Sequence, residues 1–247
     1  MKNQLIILLI ATLALTSCKK NGVSNCFVST GEITMDNRSI NSFNSILLKD
    51  NVNLILKKAD SNAIIVEAGK NLISGVKTDV GENGVLEIRN DNSCNWIRSY
   101  SSPINVYLNY KVIDSIDYNS IGDITTENTL IADSLWIMAH EGAGKINMDV
   151  DVSTLYCSLH YGTLDIILRG KAGVSYIYSA SFGLINTLDM ESDYMYINNR
   201  SSNDIYVTAK THIGATIDNI GNIYYTGNPI TVSFNKNGTG ELIELDD

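Results

Sequence analysis

The chain has 247 residues, 44% of them hydrophobic and 18% charged, enough to bury a core in one elongated domain or two small ones. Its formal net charge of −9 excludes nucleic acid as an expected partner, because a basic patch is the footprint such a partner requires. With only two prolines and little helical periodicity, the residues point to a β-rich chain broken by Gly, Asn, Asp and Ser.

Residues 1–17 read as a targeting segment. Lys2 supplies a positive start and Leu5 to Leu15 is an apolar run. The run is shorter than the roughly 20 residues a bilayer-spanning helix needs, and it fits the apolar core of a secretory signal. Leu15-Thr16-Ser17-Cys18 resembles the bacterial lipobox, which makes Cys18 the expected lipidation site and the lipid the only membrane anchor. An ordinary cleaved signal followed by a chance cysteine is the alternative. Lys19 and Lys20 follow with no acidic residue. That favours an outer-membrane lipoprotein whose body faces the periplasm over one displayed at the cell surface.

Residues 18–40 are polar and mixed, and are expected to form a tether. From 41 to 115 the pattern is β-rich, with strands expected at Ser45–Leu48, Val52–Leu56, Ala63–Glu67, Val85–Ile88 and Ile104–Leu108 and a hairpin turn at Glu82-Asn83-Gly84. This part lacks a clean period. It reads as the irregular beginning of the structure that follows, capping one end of it; a separate small sandwich is the alternative.

From 116 to 247 the chain repeats. Glycine followed two places later by an aliphatic residue recurs as Gly122-Asp-Ile124, Gly144-Lys-Ile146, Gly162-Thr-Leu164, Gly183-Leu-Ile185, Asn203-Asp-Ile205, Gly221-Asn-Ile223 and Gly240-Glu-Leu242, in steps of 22, 18, 21, 20, 18 and 19 residues. A period near twenty with strand-like composition marks a solenoid. The expected fold is an all-β, parallel β-helix-like solenoid with coils of about twenty residues, with 41–247 as one continuous domain. The Gly142-Ala-Gly-Lys145 stretch imitates a phosphate loop, but that motif needs glycine at 139 and a hydroxyl at 146, where Ala139 and Ile146 stand. Its glycines are better explained as corners adopting φ > 0, a role Asn203 also tolerates.

A second register supports the stacking. Ile137, Cys157, Ile177, Ile197 and Ile217 stand twenty apart, as do Trp136, Tyr156, Tyr176, Tyr196 and Thr216. Neighbours on a strand face opposite sides. The first series, with Leu135, Leu155 and Met195, is expected inside; the aromatic series, joined by Tyr178 and Tyr194, is expected outside. Rungs lie about 4.8 Å apart, giving an aromatic stripe some 15 Å long. The stripe serves either as cross-rung stacking that holds the coils in register or as a platform for a glycan or a protein partner. With Cys157 inside as a small hydrophobe, Cys26 and Cys94 remain as the candidate disulfide, worth about 4 kcal/mol in the chain-entropy view, with three free thiols as the alternative.

Candidate chemistry is sparse. His140 and His160 are one period apart, but no third zinc ligand accompanies them, and solvent-facing corners explain them better. No nucleophile elbow is present. Asp149, Asp151, Asp165, Asp189, Glu191 and Asp193 could in principle supply the two carboxylates of a polysaccharide hydrolase, yet their spacing selects no pair. No metal or cofactor is expected.

The lipobox, the Phe43-Asn-Ser-Ile46 opening, Asn95-Trp-Ile-Arg98 before Pro103-Ile-Asn-Val106, the repeated Gly-Lys-Ile-Asn147 and Gly-Leu-Ile-Asn186, and the ending Gly221-Asn-Ile-Tyr-Tyr-Thr-Gly-Asn-Pro229 together resemble the putative autotransporter adhesin head domain called the GIN domain. The likeness spans roughly Phe43 to Leu245. It implies a right-handed β-helix-like fold and an adhesin or binding role, and carries no catalytic residues. The missing glycine at Ser201-Ser-Asn203 departs from the family's turns and puts the geometry of that rung in question. The expected function is an envelope-anchored, non-catalytic binding module. A self-associating homo-oligomeric scaffold and a glycan-active enzyme are the alternatives.

Overall fold

The computed structural model describes residues 29–93 and 103–246. The lipobox with Cys18, the Cys26–Cys94 pair and Asn95–Arg98 lie outside the described residues. The fold is an all-β solenoid of about 6 turns with ~20-residue coils.

The first half supplies β1 (Ile33–Arg38), β2 (Ser45–Asp50), β3 (Val52–Lys58), β4 (Ala63–Gly69), β5 (Val76–Val80), β6 (Val85–Asn90), β7 (Ile104–Tyr110), β8 (Ser115–Ser120) and β9 (Ile124–Thr126). Alternating residues of β2, β3, β6 and β7 are buried, as their apolar/polar alternation dictates. β5 and β6 form the expected hairpin, with Gly84 at φ 74°. Asp50, at φ 61°, turns the chain from β2 into β3. Strand β1 corrects the tether reading. It pairs antiparallel with β4, but Thr34, Asp36 and Arg38 occupy its more buried side while Ile33 and Met35 face out. Arg38 is held there by the carbonyls of Val76 at 2.7 Å and Ile73 at 2.9 Å.

The lost period of this half has a topological cause. β2 pairs with β6 on one side and β8 on the other, and β3 likewise with β7 and β9. The chain lays down one coil, doubles back to build the coil beneath it, then returns to continue upward. Coils that are neighbours in space are therefore not neighbours in sequence.

The second half supplies β10 (Leu130–Leu159), β11 (Thr163–Ser179), β12 (Ile185–Asn199), β13 (Ile205–Ile217), β14 (Ile223–Thr226), β15 (Thr231–Lys236) and β16 (Leu242–Glu244). The long strands bend around corners and pair in parallel with the coils on either side. Their inward residues join those of the first half in a single apolar core that runs from Phe43 to Tyr225.

Two details of register differ from the sequence reading. Ile146 pairs with Ile166, not Leu164, and Ile166 with Ile185. The aliphatic column thus advances by between 18 residues (Ile205 to Ile223) and 22 (Ile124 to Ile146). Leu164, not Gly162, stacks on Gly144 in the corner column, and Gly162 lies over Gly142. Further along, Ile197 pairs with Ala215 and Asn199 with Ile217, so Ile217 belongs one inward position later than expected.

The corner glycines also have two different causes. Gly144 at φ 133° and Gly162 at φ 99° do use backbone space closed to other residues. Gly122, Gly183, Gly221 and Gly240 do not. At these four a Cβ would meet the carbonyl oxygen of the coil below at 2.0, 1.7, 2.1 and 2.2 Å. Asn203 is not in the left-handed region either. Its carbonyl accepts from Ser201 Oγ at 2.9 Å and Asn199 Nδ2 at 3.0 Å, and its amide donates to the Phe182 carbonyl, which ties the rung to its neighbour.

The residue after each corner position explains the recurrent Asp and Asn. Asp123, Asp165, Asp204 and Asn222 each accept the backbone N–H of the coil above, from Lys145, Leu184, Asn222 and Glu241, at 2.8–3.0 Å. Corner donors that would otherwise lack a partner are thereby satisfied.

Candidate functional site

The outward residues of one ladder face form the candidate site. Strand alternation places Trp136 and Tyr156 of β10, Tyr176 of β11 and Tyr196 of β12 in one column, with Tyr156, Tyr176 and Tyr196 directly paired. Their rings stack: Trp136 on Tyr156 at 3.7 Å between centroids, Tyr156 on Tyr176 at 5.1 Å and Tyr176 on Tyr196 at 5.3 Å, within 9–15° of parallel. The rings therefore cover one another's faces and turn their edges to solvent. Trp136, Tyr176 and Tyr196 remain about 40% exposed.

The column does not continue to Thr216. Tyr196 pairs with Gly214, and Gly214 with Ser233. In the room left by the glycine, His212 leans against Tyr196 at 5.4 Å and 50°, its Nδ1 2.7 Å from Thr231 Oγ1. Tyr178 and Tyr194 are not in the stack. Tyr178 stands one outward position further along its strand and touches the His160 ring at 5.3 Å. Tyr194 pairs with His212 on the other flank and, among the described residues, stacks on no ring.

A groove of about 610 Å³ runs along this face. The ring ladder, Gly214 and Ser233 form one side; Met138, Ser158, Tyr178, Asn198, Thr216 and Asn235 form the other. None of its lining residues is charged. The charges sit elsewhere, as cross-coil pairs such as Asp149–Arg169 at 2.7 Å, Asp151–Lys171 at 3.2 Å and Glu191–Lys210 at 3.1 Å. Of the tyrosine hydroxyls, those of Tyr107, Tyr118 and Tyr224 are hydrogen-bonded within the protein. Those of Tyr156, Tyr176 and Tyr196 bond to no described residue and face solvent. Of the second wall the sequence reading names Tyr178 as an outward candidate but misses Met138, Ser158 and Asn198 and the last coil's contribution, although the wall follows from strand parity: residues two beyond each ladder position share its face.

The remaining candidates are spread over other places. His140 and His160 stack at 5.7 Å and 13°, with His140 Nε2 3.6 Å from Asp117 Oδ1, beside a separate hollow lined by Lys49, Asp50 and Glu141. Among the described residues no three His, Cys, Asp or Glu side chains gather as a metal site would require. Asp149, Asp151 and Glu191 are in the ion pairs above, and Asp165 caps Leu184. Cys157 is inward and buried, and burial pushes its thiol up to about 12, which keeps it protonated at neutral pH.

Several solved structures share the fold. A putative adhesin from Bacteroides fragilis matches with a TM-score of 0.80 at 20% identity, over 87% of this chain and 97% of that one. A putative adhesin from Parabacteroides distasonis matches at 0.67 and 19%, over 87% and 98%. A protein from the same species, titled a putative lipid binding protein, matches at 0.66 and 17%, over 89% and 99%. Comparison with curated proteins gives no match. Residues 42–229 match the family described as putative auto-transporter adhesin, head GIN domain, and the chain belongs to that family.

Proposed function

We propose that the protein is a non-catalytic, envelope-anchored binding module that presents the groove beside Trp136, Tyr156, Tyr176 and Tyr196 to a glycan or protein ligand. The observation that carries this reading is the groove itself: an uncharged trough, flanked by exposed ring edges whose hydroxyls have no described protein partner, away from the cross-coil ion pairs of Asp149, Asp151 and Glu191. The adhesin family supports a binding role. Lipidation at Cys18 would hold the body at the outer membrane, on its periplasmic face. A disulfide between Cys26 and Cys94 would staple the leader of the domain to its N-terminal coils.

The test is binding of the soluble body to a glycan array and to immobilised envelope proteins, beside a Trp136→Ala/Tyr156→Ala/Tyr176→Ala variant shown to be folded. The expected result is at least about a tenfold loss of affinity in the variant, since buried or stacked aromatic anchors dominate such surfaces. Equal binding by both proteins would move the site off this face.

One observation favours self-association as a second reading. The last coil exposes Ile230, Val232 and Phe234 at 81%, 50% and 40%, and among the described strands β15 pairs with β13 alone. An apolar, open strand edge is a template for another chain. Sedimentation should then show a concentration-dependent oligomer that Val232→Thr/Phe234→Ser abolishes; a monomer at all concentrations rejects it.

A further inference from the structure

Resting on the reading of the groove as the binding site, we infer that its ligand is a neutral, linear polysaccharide lying parallel to the solenoid axis, with about one sugar against each coil. The first argument is charge. The chain carries 18 basic and 27 acidic residues, yet none of the described ones lines the groove. A uronic acid or sulfated glycan would have to leave water with no cation to receive it, which is costly. A neutral chain meets only hydroxyls, amides and apolar edges.

The second argument is chemistry. The Tyr156, Tyr176 and Tyr196 hydroxyls form a row with no described protein partner, and Ser158, Asn198 and Thr216 face them. A phenol both donates and accepts a hydrogen bond, and so does each sugar hydroxyl. An acyl chain offers such a row nothing. Because the rings cover one another's faces, a sugar cannot lie flat on the ladder. It lies along the ladder, with its C–H groups against ring edges and its hydroxyls toward the phenols.

The third argument is repeat length. The tyrosine rings follow one another at 5.1 and 5.3 Å, and only the Trp136–Tyr156 step at the ladder's end is shorter, 3.7 Å. An extended chain of β-linked hexoses advances per sugar by about one ring and its bridging oxygen, which is the same order as these steps. An extended peptide advances about 3.3 Å per residue, so its same-side groups recur near twice that distance and fall out of step with the rings. The groove spans several coils, from Trp136 to Ser233 and Asn235, which suits the interior of a polymer better than a chain end.

The experiment is affinity electrophoresis of the folded protein in gels containing neutral linear polysaccharides (cellulose-, xylan-, mannan- and β-1,3-glucan-derived) or acidic ones (polygalacturonate, alginate, hyaluronate). Calorimetry with oligosaccharides of rising length follows for any polymer that retards it. A Ser158→Trp variant serves as the block. It fills the groove from an outward strand position where tryptophan is well tolerated, leaving the ring ladder in place. The expected result is retardation by at least one neutral polymer and by no acidic one. Affinity should rise with length until the rows are filled, and Ser158→Trp should weaken it at least about tenfold. Retardation by acidic polymers alone, binding unaffected by length, or binding that survives Ser158→Trp overturns the inference. If an acidic glycan, a protein or a phosphatidylcholine vesicle binds instead and Ser158→Trp abolishes that, the groove remains the site and only the neutral polysaccharide falls. If nothing binds in either screen, both readings fall.

Discussion

Gly183→Ala is expected to destabilise the fold by about 3 kcal/mol, at the upper end of what overpacking costs. The added methyl would stand 1.7 Å from the carbonyl oxygen of Leu164 in the coil below. That coil cannot retreat freely, because Phe182 donates to the Gly162 carbonyl at 3.0 Å on one side of the contact, and on the other Ile166 donates to the Leu184 carbonyl at 2.8 Å and Leu184 to Asp165 at 3.0 Å. Relief requires the two coils to part and these bonds to stretch. In thermal unfolding followed by circular dichroism, the loss should appear as a midpoint lower by about 6–12 °C, given roughly 2–4 °C per kcal/mol for a domain of this size. Gly214→Ala is the control. A methyl there meets only side-chain atoms, Tyr196 Cδ1 at 3.1 Å, His212 Nε2 at 3.2 Å and Ser233 Oγ at 3.4 Å, all of which can swing aside. Its effect should stay below about 1 kcal/mol, helped by the lower entropy of the unfolded chain. Equal losses in the two variants would mean that backbone contact between coils is not what selects glycine at 183.

The same two glycines mark how far the sequence can be read. A twenty-residue period announces stacked coils, and strand alternation then sorts Ile177 inward and Tyr176 outward without further help. Local conformation is legible too: Gly144 and Gly162 do take positive φ. The collision that demands Gly183 is between segments nineteen residues apart, and no local pattern encodes it. Register fails for a related reason. Adding twenty to Tyr196 gives Thr216, but the coil beyond is two residues shorter and places Gly214 there instead. Corners absorb such changes in length while the ladders stay paired, so arithmetic drifts where hydrogen bonding does not. In the first half the chain doubles back between coils, which erases the period although each strand is individually plain. Strand β1 is hidden differently: its more buried side is polar, and Arg38 is satisfied by the carbonyls of Ile73 and of Val76 at the start of β5, which only the fold brings near. The ladder was therefore visible as residues, while the groove needed the neighbouring column and the final coil to become a shape.

Two buried tyrosines provide the other large expected effect. Tyr118 and Tyr110 are both wholly buried. The Tyr118 hydroxyl lies 2.7 Å from the Gly122 carbonyl and 2.8 Å from that of Ala143, bracing two corners, whereas the Tyr110 hydroxyl has no partner among the described residues. Tyr118→Phe should cost about 1–3 kcal/mol because it strands buried acceptors, and Tyr110→Phe should be neutral or stabilising because it removes a buried group with no partner among the described residues. Urea unfolding at pH 7 distinguishes them; equal costs would show that the Tyr118 bonds contribute nothing beyond packing. Alkali should expose the same groups. Burial raises the Tyr110 hydroxyl from 10.0 to about 12 and the Cys157 thiol from 9.0 to about 12, and raises Tyr118 as well. Their protons are held more tightly in the native state than in the unfolded one. The stabilisation they represent is therefore intact below pH 9 and is lost as pH rises toward 12, by up to about 1.4 kcal/mol per pH unit for each group. The urea midpoint should fall steeply across that window, and Tyr110→Phe should make the fall shallower while leaving the midpoint at pH 7 unchanged or higher. A phenylalanine at 110 that altered neither would mean that the Tyr110 hydroxyl reaches water in the native protein and that the core is open at the end of β7.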